Sequence, residues 1–73
     1  VTLHPFHARA YYFLGKIQAE KEHHKQALKA LNRAQDLAPQ QADVLQERSN
    51  VNRMLGNLDD ADDDQKRAIQ LKS

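Results

Sequence analysis

The chain has 73 residues, enough for one small domain with little core. Its formal charge of +1 gives no net field to draw nucleic acid or anionic lipid, and 5% aromatics leave the core to Leu, Ala and Val. The lack of cysteine excludes a disulfide framework, a thiolate metal site and a Cys nucleophile, and no apolar run approaches the ~20 residues that span a bilayer.

In chain order, residues 1–7 are expected to close a preceding repeat, the alternative being a lead-in. Leu3-His4-Pro5 matches Leu37-Ala38-Pro39 further on. Pro5 biases His4 away from the helical region, so a helix is expected to begin at or after Pro5. The first helix should run from Phe6 or Ala8 to about Lys21. Ala10, Tyr11, Leu14, Ile17 and Gln18 form a stripe at helical spacing. Gly15 lies inside it, at roughly 1 kcal/mol relative to Ala, which predicts a close approach by the paired helix.

Glu22-His23-His24 forms the turn. The second helix should span His24 to Leu37, with Ala27, Leu28, Leu31, Ala34 and Leu37 on one side. Lys25, Lys29 and Arg33 fall opposite. Pro39 ends the helix within two residues. A third helix is expected over Ala42–Leu55 and a fourth over Leu58–Leu71. Gly56 is the left-handed helix end between them, and Asn57 is the expected cap.

The two halves are related. Leu3, Leu37 and Leu71 are 34 apart, as are Ala8 and Ala42, Ala27 and Ala61, and Ala34 and Ala68. An internal repeat of this length means a stacked helical array. In the second unit Arg48 stands for Leu14, Ser49 for Gly15 and Gln65 for Leu31. That unit is therefore expected to bury less.

These spacings resemble the tetratricopeptide repeat family. The first unit carries Tyr11, Leu14-Gly15, Ala27, Leu31 and Pro39, and departs at Gln18. The second keeps Leu45, Ala61 and Ala68, and departs at Arg48, Ser49, Asn52, Gln65 and Ser73. The resemblance covers residues 8–73. It implies an all-α fold of four helices, antiparallel pairs stacked as a short right-handed solenoid. Repeat one is expected at 8–41 and repeat two at 42–73. It further implies that the first helix of each pair lines a concave groove for an extended peptide or a partner helix. The groove positions fall on Arg9, Tyr12, Lys16 and Glu20, then on Asp43, Gln46, Asn50 and Arg53. The clamp that some members use for chaperone tails is matched only at Asn50, so no such ligand is expected.

Other clusters are weighed against their simplest explanations. His4, His7, His23 and His24 fit exposed histidines better than a site of converging metal ligands. Asp59 to Asp64 lacks the glycine and final glutamate of a calcium loop, and suits the start of a helix. Lys21, Lys25, Lys29 and Arg33 suit a solvated face, with nucleic-acid binding the alternative. Lys25 and Lys29 align with Asp59 and Asp63, so the outer face is basic on one unit and acidic on the next. No catalytic constellation, cofactor or metal is expected. The expected role is a non-enzymatic protein-interaction scaffold. The alternatives are a segment that self-associates through open ends bearing exposed apolar residues, and nucleic-acid binding through the Lys25/Lys29/Arg33 stripe. The sequence names no compartment.

Overall fold

The computed structural model describes residues 5–72. The expected lead-in lies outside them for residues 1–4, as does Ser73. Four helices follow one another: α1 (Pro5–Glu20), α2 (His24–Leu37), α3 (Ala42–Leu55) and α4 (Leu58–Lys72). The described residues are all-α. Helix α1 pairs with α2, α3 with α4, and α2 also packs on α3, while α1 and α3 touch only lightly.

Pro5 opens α1, where its missing N–H belongs to the turn that has no intrahelical acceptor. Helix α2 buries Ala27, Ala30, Leu31 and Ala34, one stripe at i, i+3, i+4 and i+7. Helix α4 buries only Ala61, Asp64 and Ala68. Helix α3 lies between α2 and α4, so its buried arc is wide: Val44, Leu45, Ser49, Val51 and Asn52. Repeat two therefore does not bury less in its first helix, as its polar substitutions had suggested. The core joins both units through Tyr12, Ala27, Leu31, Ala34, Val44 and Val51.

Helix α1 departs from its sequence pattern. Much of its apolar stripe faces outward, with Leu14 and Ile17 45% and 48% exposed, while Tyr11 is partly buried against the core. The buried side is Ala8, Tyr12 and Gly15. The reason is the close approach of α2. A Cβ at Gly15 would meet Leu31 Cγ at 2.7 Å and the Ala27 carbonyl at 3.3 Å. At Ser49 the same approach recurs, and its hydroxyl donates to the Ala61 carbonyl at 2.7 Å.

Both hairpin turns use one device. After α3, Gly56 is left-handed at φ 86, its N–H meets Arg53 O, and Asn57 N–H meets Asn52 O at 2.8 Å. This satisfies carbonyls that the helix end leaves open. After α1 the same pair recurs, Glu22 N–H to Ala19 O and His23 N–H to Gln18 O at 2.8 Å. Here, however, the left-handed residue is Glu22, at φ 64. Side chains brace each turn at matching places, His23 Nδ1 with Gln18 Oε1 at 2.8 Å and Asn57 Nδ2 with Asn52 Oδ1 at 3.2 Å. Asn57 thus uses its amide on the helix before it, where the sequence suggested a cap for the helix after it.

Two substitutions test this account by thermal or urea unfolding. Gly15→Ala gains helix propensity of about 1 kcal/mol but crowds a buried leucine, and a net loss of about 1 kcal/mol is expected. Glu22→Gly removes a left-handed side chain and should stabilise the chain by about 0.5–1 kcal/mol.

Candidate peptide-binding face

The face shared by α1 and α3 carries the expected groove residues, and the structure treats them unequally. Tyr12 is only 9% exposed and belongs to the core. Its ring supports two cations from the same helix. The Arg9 guanidinium carbon stands 4.7 Å from the ring centroid and Lys16 Nζ 5.7 Å from it. Such contacts contribute roughly 0.5–1 kcal/mol where solvent reaches them. Arg9 also lies 5.4 Å from the Phe13 ring and 3.5 Å from Asp43 of α3. That exposed ion pair joins α1 to α3 and is worth about 0–1 kcal/mol.

Glu20 and Asn50 are exposed and Gln46 is partly so. Asn50 borders a shallow cleft of about 160 Å³ with Ala19, Val51, Met54, Glu47 and His24. Arg53 is engaged elsewhere: its Nη2 donates to Gln65 Oε1 of α4 at 2.7 Å. The repeat partner of Glu20 is Met54, which is 67% exposed. Counting 34 from Glu20, a step that selects Met54 over Arg53, was sufficient to find it.

The polar departures of repeat two form a network that sequence reasoning missed. Arg48 donates from Nε and Nη2 to the two carboxylate oxygens of Asp64, both at 2.8 Å. Its Nη1 donates to Asn32 Oδ1 of α2 at 3.1 Å, and Asn52 Nδ2 reaches Asp64 at 3.4 Å. The hydrogen bond from Arg48 to Asp64 raises the arginine above its ordinary value against the opposing effect of burial. Its charge is therefore held across the neutral range. Asp64 is buried, so it is not one of the solvated helix-start carboxylates that Asp59 and Asp60 are. The signal was present in the repeat: Arg48 replaces Leu14 and Asp64 replaces Ala30, opposite charges at two facing positions. The network walls a polar cleft of about 340 Å³ between α2 and α4, with Asp60, Asp63 and Arg67 at its edge.

His23 braces a turn, and the described residues hold no group of three His, Cys, Asp or Glu side chains that could take a metal ion. Lys21, Lys25, Lys29 and Arg33 are exposed. No described helix is long and apolar enough to cross a membrane.

Two antiparallel hairpins, stacked through α2 and α3 at a fixed offset, are the geometry of a helical repeat. Residues 8–41 match the family model described as Tetratricopeptide repeat. The chain carries a tetratricopeptide repeat. All four helices fit a tetratricopeptide-type array, including the second hairpin with its polar substitutions. No curated protein matches the chain. Tetratricopeptide repeats are in general non-catalytic protein-interaction modules.

Removing half of the charged network should be worse than removing all of it. Asp64→Ala leaves the Arg48 guanidinium part-buried without its carboxylate and is expected to lower stability by about 3 kcal/mol. Arg48→Leu combined with Asp64→Ala restores the Leu14/Ala30 pattern and should stay within about 1 kcal/mol of the parent chain. Urea unfolding of the two variants measures the difference.

Proposed function

We propose that the chain captures an extended peptide or a partner's helix along the face shared by α1 and α3. One observation carries this reading: Arg9 and Lys16 flank the buried Tyr12 ring at 4.7 and 5.7 Å. The ring holds two cations on one side of α1 before any ligand arrives. Arg9 already pairs with Asp43 of α3, so a bound carboxylate meets Lys16, which the ring leaves little further freedom to lose.

Asn50 complements them from α3, offering both a donor and an acceptor to a peptide backbone. The cleft beside it has Ala19, Val51 and Met54 among its lining, apolar groups suited to one side chain of the ligand. The ligand class is therefore a segment with acidic residues and at least one apolar anchor. Nucleic-acid binding is less well supported, because Arg33 already lies against Tyr11 at 5.7 Å and the net charge is only +1.

The test is titration of the labelled chain with a peptide of alternating Glu and Leu, and with its Gln counterpart, followed by amide chemical shifts. The Glu peptide should bind, and Lys16→Ala should weaken it by about 1.5 kcal/mol, roughly tenfold. Asn50→Ala should weaken it less. Both positions lie outside the core, so helicity should not change. Unaltered binding by both variants refutes the reading. Loss on changing Lys25 and Lys29 instead moves the site to the outer side of α2.

A further inference from the structure

The cleft beside Asn50 is not simply apolar. Ala19, Val51 and Met54 line it together with Glu22 of the first turn and Glu47 of α3. Among the described residues, neither carboxylate forms an ion pair or a hydrogen bond. His24 lines the same cleft, and its Nδ1 is shielded from solvent without a hydrogen-bond partner. Buried polar atoms are ordinarily paired, so a ligand that brings N–H donors suits this lining better than one that brings none.

The repeated frame does not account for these polar groups. Counting 34 forward from Glu22 and His24 gives Gly56 and Leu58, and counting 34 back from Glu47 gives Phe13. Stacking of the hairpins therefore does not require an acid or an imidazole at these places. Apolar walls beside two unpaired carboxylates match one kind of side chain, a hydrocarbon stem that ends in a cation. Such side chains bury the stem and keep the charge at a polar edge. A leucine would fill the same space and leave both carboxylates unused.

We infer that the cleft takes a lysine or arginine side chain of the peptide bound along the face shared by α1 and α3. Its stem lies against Ala19, Val51 and Met54, and its charge is at Glu22 and Glu47. This rests on peptide capture along that face, and it names the anchor. The ligand then carries both signs, because Lys16 takes an acidic residue of the same segment. Lys16 and Ala19 stand three residues apart on α1, a rise of about 4.5 Å. An extended chain covers about 6.6 Å in two residues, with both side chains on one side. The acidic and the basic residue of the ligand are therefore about two positions apart.

The probe is a capped heptapeptide of Ala and Ser with Glu at its third position and Lys at its fifth. In the control, norleucine replaces the Lys, which keeps the stem and removes the charge. Amide shifts of the 73-residue chain are followed on addition of each. Shifts are expected at Ala19, Glu22, Glu47 and Asn50. The Lys peptide should bind about fivefold to tenfold tighter than the norleucine peptide, and the gap should narrow as salt is raised. Glu22→Gln with Glu47→Gln should remove the gap by weakening the Lys peptide alone. Neither residue is in the core, so helicity should be retained. Equal or tighter binding of the norleucine peptide, shifts confined to other residues, or a gap that survives the double variant overturns the inference. In those cases, Lys16-dependent binding of the Glu and Leu peptide would keep the face as a peptide site with an apolar anchor. Failure of every peptide to bind at millimolar concentration overturns both.

Discussion

Arg48 of α3 hydrogen-bonds to Asp64 of α4 and to Asn32 of α2. One guanidinium thus ties the second hairpin together and anchors it to the first. Its planar fork suits two carboxylate oxygens and an amide at once, a geometry that an ammonium cannot copy. Around it the chain is built from small residues. Gly15, Ser49 and the alanines of α2 and α4 let paired helices approach closely, and the side chains that remain are too few to fill a conventional core. In so small a chain, a fully paired charge cluster replaces apolar volume at the interface that must hold the repeats in register.

Much of this architecture is legible in the residues. The spacing of Ala27, Leu31 and Ala34 and the stops at Pro39 and Gly56 define α2 and α3 as the structure has them. Gly15 announces the close contact with Leu31. Periodicity failed at α1, because amphipathicity says which residues share a face and not which face meets the rest of the chain. The stripe through Leu14 is the more apolar one, yet Ala8, Tyr12 and Gly15 are buried, since α2 comes close at Gly15 and brings that side of α1 inward. The network was hidden for another reason. Read one at a time, Arg48, Asn52 and Asp64 look like losses of core. They make sense only as a set whose members lie 16 and 12 positions apart.

The surface divides in the same way. The side shared by α1 and α3 presents cations supported by Tyr12. The free side of α1 presents apolar groups rimmed by cations. Between α2 and α4 the surface is polar, with Arg48 bonded to Asp64 and Asn32, and Asn52 bonded to Asp64. Three chemistries on one short array arise from small changes to a single repeated frame, because a side chain at a given repeat position keeps its place while its character changes.

The contacts among the helices run along the chain: α1 with α2, α2 with α3, α3 with α4, and a slight touch between α1 and α3. Among the described residues the first and last helices never meet. A chain organised this way has no clasp. Its stability is a sum over successive joints, and its folding needs few long loop closures, which places it with chains that fold in microseconds to milliseconds. Under tension or thermal agitation it should come apart like a strip peeled from one end. The joints that Arg48 bridges, α2 with α3 and α3 with α4, are the last expected to yield.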